Sequence, residues 1–260
     1  MELIPIEGIP EVRPGDDIAS LITERVSPEP TDIVLVASTI VSKAEDRGAG
    51  LGEFPAGPRA VELASRLSRI AGEEKDPRFA QAVLEESTEI IIEAPFLLTA
   101  TRFGHICVNA GIDRSNTGGA ELLLLPRRPT RSAARIRAGL SATSPVVVTD
   151  TAGRPFRLGQ RGVAIGWDGI PASRDWRGEP DREGRPLSVT VEAVVDELAA
   201  AANLVSGEGA GGTPVVIARN ADLDEFEPRD ELFRPVDRDV VRAALREWTW
   251  DPDGALEGSR

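Results

Sequence analysis

Three acidic side chains stand out by their surroundings. Asp150 closes the apolar run Val146-Val-Val-Thr-Asp-Thr151. Asp113 follows Val108-Asn-Ala-Gly-Ile112, and Glu208 lies inside Gly207-Glu-Gly-Ala-Gly-Gly212. An aspartate at the carboxyl end of a buried strand reaches the sheet edge where open α/β sheets bind ligands. Hard divalent cations prefer oxygen donors of this kind. Thr151 adds a hydroxyl or carbonyl beside Asp150, and Gly111 allows close backbone approach ahead of Asp113. Two strand-end aspartates and a glycine-cradled glutamate form an oxygen-rich set suited to Mg²⁺ or Mn²⁺. Plainer readings stand beside this one. Asp150 could cap the turn Ala152-Gly153, and the glycines could be a flexible connection. A carboxylate on so bare a backbone is costly to hold still unless a cation holds it.

A chain with 30 basic and 43 acidic residues carries a formal charge of −13 and repels anions on average. An anionic substrate therefore needs cations placed at its site. Arg114 follows Asp113, and Arg154, Arg157 and Arg161 follow Asp150, but arginine is the default basic residue here. Lys43 and Lys75 are the only lysines. Lys43 follows a strand and the polar pair Ser38-Thr39, and a compact ammonium suits a terminal phosphate group.

Other chemistries are excluded by inventory. One histidine (His105) and one cysteine (Cys107) leave no multi-His metal site, no Cys-based zinc site and no disulfide framework. The two are spaced to face the same side of one short strand, as a packed pair. No P-loop pattern exists. Gly207–Gly212 satisfies Gly-x-Gly-x-x-Gly, but the order is helix, glycines, strand, the reverse of a dinucleotide fingerprint. The negative charge argues against a nucleic-acid binder. The apolar runs are too short to span a bilayer. Met1-Glu-Leu-Ile-Pro5 lacks the basic and long apolar regions of a secretion signal, so a cytoplasmic location is expected.

The elements that must position these groups alternate along the chain. Asp32–Ala37, Pro145–Thr149, Gly162–Gly166 and Pro214–Ala218 read as strands. So do Ile90–Ile92, Phe96–Thr101 and His105–Asn109. Pro58–Gly72 reads as a helix with proline at its start and glycine at its end. A second opens at Asp76-Pro77 and runs to Glu86. Thr130–Leu140 and Asp237–Trp248 are also predicted helical. The strongest helix signal is Val189–Val205, with Val191, Val194, Val195, Leu198 and Leu204 on one stripe. The polar segment Asp168–Pro186 reads as a long loop in which Trp176 could stack on a planar ring. The expected fold class is α+β or mixed α/β with mixed sheets, neither Rossmann nor P-loop. Residues 1–250 form the domain, with a weak boundary near Leu124–Thr130, and 251–260 form an acidic tail.

Six stretches in register carry a resemblance. They are Pro5-Ile-Glu-Gly-Ile-Pro10, Ala37-Ser-Thr-Ile-Val-Ser-Lys-Ala-Glu45, Gln81-Ala-Val-Leu-Glu-Glu-Ser87, Val108-Asn-Ala-Gly-Ile-Asp113, Thr149-Asp-Thr-Ala-Gly-Arg154 and Asn203-Leu-Val-Ser-Gly-Glu-Gly209. Together, from about residue 3 to 245, the chain resembles the coenzyme F420-0:gamma-glutamyl ligase family. The resemblance implies a GTP-dependent ligase that adds L-glutamate to the terminal carboxylate of coenzyme F420-0, a deazaflavin. A further gamma-linked glutamate then follows. It also implies two Mg²⁺ or Mn²⁺ ions, help from K⁺, and a homodimer. Carried over position by position, nucleotide contacts fall on Glu7, Gly8, Ile9, Pro10, Ser38, Thr39, Lys43 and Asn116. They also fall on the loop Gly207, Glu208, Gly209, Ala210, Gly211, Gly212, Thr213 and Pro214. The metals fall on Asp113, Asp150, Thr151 and Glu208, and catalysis on Lys43, Asp113 and Asp150. Departures are confined to the glycine-rich Gly48–Gly57, the insert at Glu73–Lys75, and Ala37, where the resemblance leads one to expect cysteine. Transfer of a γ-phosphoryl group to the carboxylate would give an acyl phosphate for the glutamate amine to attack. The same loops could instead hold a deazaflavin or nucleotide without catalysis.

Overall fold

The computed structural model describes residues 1–140, 144–209, 211–221, 223 and 227–248. Ala210 and the acidic tail 251–260 lie outside the described residues. The chain forms two compact units, Met1–Arg47 with Pro126–Leu232, and Gly48–Leu125 with the segment from Phe233. It passes from the second unit to the first between Leu125 and Pro126, at the start of the Pro-Arg-Arg-Pro run. Among the described residues no helix is long and apolar enough to cross a membrane.

In chain order the elements open with β1 (Glu2–Pro5), α1 (Ile18–Thr23), β2 (Ile33–Ala37) and α2 (Ser38–Ala44). The second unit then supplies β3 (Gly48–Ala49), α3 (Pro58–Ala71), α4 (Pro77–Glu86), β4 (Ser87–Ile92), β5 (Leu98–Thr101), β6 (Ile106–Val108) and β7 (Leu122–Leu123). The first unit resumes with α5 (Pro129–Gly139), β8 (Val146–Arg154), β9 (Arg157–Asp168), β10 (Ser173–Asp175), β11 (Val191–Glu192), α6 (Val194–Ser206), β12 (Val215–Arg219) and β13 (Glu227–Arg229). The segment from Phe233 adds α7 (Val240–Glu247). The mixed α/β class is as expected.

The first unit is built on a five-stranded sheet in the order β1-β12-β2-β8-β9. β2 and β8 run parallel, and the other neighbours are antiparallel. Val34, Val36, Val146 and Ile217 are fully buried in it, as the continuous apolar runs require of strands covered on both faces. The second unit has its own core around Leu63, Val83, Leu97 and Leu122. Its helices start as read: Pro58 opens α3, and Asp76 caps α4 by accepting from the Arg78 amide at 2.8 Å.

Three expectations change. The helix expected over Val189–Val205 begins only at Val194, because Val191 pairs in a strand with Asp175. Leu204, assigned to its buried stripe, is exposed. The segment Asp168–Pro186 is not a plain loop. β10 lies in it, and backbone bonds between Gly178 and Leu187 and between Asp181 and Arg185 continue a hairpin to its tip. The strand expected at Gly162–Gly166 is the inner part of the much longer β9.

Candidate functional site

Strand direction decides which loops meet. β1 and β2 end, and β12 begins, at the same end of the sheet: Ile6 donates to the Val215 carbonyl at 2.9 Å and Ala37 to the Pro214 carbonyl at 2.8 Å. β8 reaches that end beside β2, with Thr149 paired to Ala37. Four predicted segments therefore converge there: Glu7–Pro10, Ser38-Thr39, Asp150-Thr151 and the loop from Gly207 to Pro214.

Asp150 does not end its strand, nor does it cap a turn at Ala152-Gly153. β8 continues to Arg154 because β9 pairs with it beyond the point where β2 has stopped. The turn falls at Pro155-Phe156 instead. One register shift, which leaves Ile165 unopposed between the Val148–Gly166 and Thr149–Ala164 pairs, comes immediately before Asp150. A bulge of this kind re-aims the residues after it. Neighbours on a strand point to opposite faces, so Asp150 and Thr151 serve two sets of oxygens rather than one. The Ser38 hydroxyl donates to Asp150 Oδ1 at 3.2 Å. The Thr151 hydroxyl donates to Glu208 Oε1 at 2.9 Å, and the Asn203 amide reaches the same oxygen at 2.6 Å.

Glu208 is placed by α6, and α6 is placed by β9. Gly162, the partner of Thr151, lets the helix sit directly on the strand: a Cβ there would stand 2.2 Å from the Ala199 carbonyl oxygen and 3.0 Å from Asn203 Cβ. Asp196 adds a polar tie, accepting from the Ala164 amide at 2.8 Å. Burial holds its carboxyl above the usual range.

Lys43 lies in the last turn of α2, four residues after Thr39 and on the same helix face. Its side chain is only 10% exposed, and its ammonium pairs with Glu11 Oε1 at 2.6 Å. The Glu7–Pro10 segment bends at Gly8 (φ 74°). Arg25, just past α1, holds the Gly8 carbonyl at 2.5 Å and its own helix's Leu21 carbonyl at 2.8 Å. Sequence reading missed Arg25 and Glu11, since neither belongs to a motif; only the fold brings them to these backbones and side chains.

Asp113 and Asn116 belong to the second unit. Residues 109–111 all take left-handed conformations, and a Cβ on Gly111 would come within 2.4 Å of Leu125. The close neighbour at this glycine is the Leu125 side chain rather than a backbone. Asp113 then exchanges two backbone bonds with Leu123, each 2.9 Å. Asn116 takes a left-handed conformation at φ 54°.

The donors assigned to metal are all hard oxygens, a fit to Mg²⁺ or Mn²⁺ and a poor one to zinc or copper. Among the described residues no group of three or more His, Cys, Asp or Glu forms a closed cage. The two carboxylates assigned to metal in the first unit, Asp150 and Glu208, each accept instead from a hydroxyl. Elsewhere, one face of the Trp176 ring is covered. Arg174 lies over it at 4.6 Å, and its Nε1 donates to Glu192 at 2.9 Å. His105 and Cys107 are a buried, packed pair, with His105 beside Phe103 and Phe233.

Comparison with known proteins agrees with the six stretches. The sequence model of the family described as F420-0:Gamma-glutamyl ligase matches residues 8–220. A protein of Halobacterium salinarum named Coenzyme F420:L-glutamate ligase is 64% identical over 251 residues, covering 96% of this chain and 99% of its own. Proteins of the same name from Halorubrum lacusprofundi (64% identical, 96% of this chain and 100% of theirs) and Archaeoglobus fulgidus (44%, 95% and 98%) match along the same length. On this similarity the chain belongs to the F420-0:gamma-glutamyl ligase family, and is a ligase enzyme.

Proposed function

We propose that the chain is a cytoplasmic, homodimeric ligase that joins L-glutamate to the terminal carboxylate of coenzyme F420-0, and then adds a further gamma-linked glutamate, at the expense of GTP. The relatives' name supplies the coenzyme and the amino acid. GTP, the second glutamate and the dimer rest on the family resemblance. The observation that supports metal-assisted chemistry is the pair of oxygen sets, Ser38–Asp150 and Thr151–Glu208, at the sheet end where the Glu7–Pro10 and Gly207–Pro214 segments also converge.

In this reading the backbone of Glu7–Pro10, Ser38, Thr39 and the Gly207–Pro214 loop hold the nucleotide. Asp150, Thr151 and Glu208 would hold two divalent ions. Asp113 and Asn116 are added to the metal and nucleotide sets by the resemblance alone. Divalent ions supply charge neutralisation on the phosphate oxygens and orient the transferred group. Lys43 neutralises the terminal phosphate. The carboxylate of F420-0 attacks the γ-phosphorus, the bond to the β-phosphate oxygen breaks, and GDP leaves. The amine of glutamate then attacks the acyl phosphate, loses its protons, and displaces phosphate. Such transfer is mostly positioning and charge stabilisation. It needs no side-chain nucleophile, which accords with the packed state of His105 and Cys107.

The test is incubation of purified protein with GTP, Mn²⁺ or Mg²⁺, K⁺, L-glutamate and F420-0. The expected result is a mass gain of one and then two glutamyl residues, with multiple-turnover GDP release that requires both other substrates. Multiple-turnover GDP release without glutamate, or ligand binding without a mass gain, would refute the ligase chemistry proposed here.

A further inference from the structure

The ion pair between Lys43 and Glu11 is lopsided. Lys43 is 10% exposed and fixed in the last turn of α2, whereas Glu11 is 63% exposed and follows the Glu7–Pro10 segment. A largely buried ammonium needs an anion close by, because burial penalises an unpaired charge. An exposed carboxylate can swing into water at little cost, and a surface-type pair of this kind is weak. The lysine is therefore the permanent member of the pair and the glutamate the exchangeable one. A phosphate arriving at Lys43 would meet Glu11 as a like charge, in a chain already at −13.

We propose that Glu11 is a displaceable counter-ion of Lys43, which occupies the ammonium while no terminal phosphate is bound and gives way to the γ-phosphate of GTP. This rests on the reading above, that GTP is the phosphoryl donor and Lys43 meets its terminal phosphate. Glu11 then acts as a positioning residue with two effects. It lowers affinity for the triphosphate selectively, since a diphosphate leaves the pair in place. It also restores the neutral pair once the phosphoryl group has moved on, which favours departure of phosphate.

The experiment measures GTP and GDP affinity calorimetrically with Mg²⁺ and no other substrate. Wild type is compared with Glu11→Gln, Glu11→Asp, Lys43→Met and the double variant, with folding checked by circular dichroism. Glu11→Gln is expected to bind GTP about 3- to 5-fold tighter, with GDP affinity unchanged within about twofold. In turnover it should lower both KM for GTP and kcat, and Glu11→Asp should restore both. In the Lys43→Met background the Glu11 change should have no further effect on GTP affinity. Unchanged or weaker GTP binding by a folded Glu11→Gln would overturn the proposal while leaving the donor reading standing. Equal tightening of GTP and GDP would also overturn it, by showing general charge relief. A wild-type chain that binds no GTP at all would remove the donor reading, and this proposal with it.

Discussion

The two ends of the five-stranded sheet treat their carboxylates differently. At one end Asp32 is wholly buried and both its oxygens are taken by Arg219, at 2.9 and 2.7 Å, while the Glu29 amide adds a third bond at 2.9 Å. The guanidinium holds that carboxyl below its usual range, and Asp32 in turn raises Arg219. At the other end Asp150 and Glu208 are met by the hydroxyls of Ser38 and Thr151. A bidentate ion pair satisfies its charges and leaves nothing to recruit. A hydroxyl donor orients a carboxylate without neutralising it. In the proposed reading the first arrangement closes a fold and the second equips a site.

Four experiments bear on that contrast. The largest effect is expected from Asp150→Asn. Turnover should fall by about 100-fold or more, the scale of removing one electrostatic contact to a transition state, while the melting temperature moves by no more than about 2 °C. Steady-state GDP release and a thermal melt read the two numbers; a variant that unfolds instead would place Asp150 on the structural side. Asp32→Asn should do the reverse. It leaves Arg219 with only its pair to Glu29 at 3.3 Å and should cost about 3 kcal/mol in urea denaturation, with kcat at 25 °C retained; lost activity in the folded variant would erase the distinction between the two ends.

The third test leaves both ends alone. Burial pushes the His105 imidazole down from its ordinary 6.5 to about 4, so the unfolded chain takes up that proton first. Stability from this group is full above the unfolded value and is lost as pH falls from about 6.5 toward 4, by about 2–3 kcal/mol. His105→Leu should flatten that part of the stability curve without changing kcat at neutral pH. An unchanged curve would mean that the acid sensitivity arises elsewhere. The smallest effect is expected from Arg25→Met, which frees the Gly8 carbonyl. KM for GTP should rise about 5-fold, as for a lost hydrogen bond to a charged group, with kcat unchanged; a fall in kcat alone would show that the Glu7–Pro10 backbone is held by other means.

Much of the scaffold was legible because burial writes itself into short apolar runs. Ile33–Ala37 and Val146–Val148 are continuous apolar stretches rich in β-branched residues, and Asp76-Pro77 carries its cap and first-turn proline together. What was hidden depends on partners distant in sequence. β8 runs on past Asp150 because Arg157–Arg161 pairs with it, yet that outer ribbon is exposed and shows no apolar alternation. The Val189–Val205 pattern mixed two periods, since Val189 and Val191 alternate as a strand does while Val194 onward follows a helix. Asp32 and Arg219 are 187 residues apart, and no local signal joins them. For the candidate site, the oxygen-bearing residues could be picked out from the sequence as candidates. The convergence of four segments on one sheet end could not, because it follows from strand order and direction.

Gly162 shows how exacting that convergence is. It lies opposite Thr151 and beneath Ala199, so it sets the spacing between the strand that bears one oxygen donor and the helix that leads to another. A single added methyl would prise α6 outward and carry Glu208 with it, which on the proposed reading would impair the metal site from the strand beneath. Drift across a lineage should therefore be tolerated at the ribbon tip near Phe156, where the side chain buries nothing, and forbidden at this one bare α-carbon.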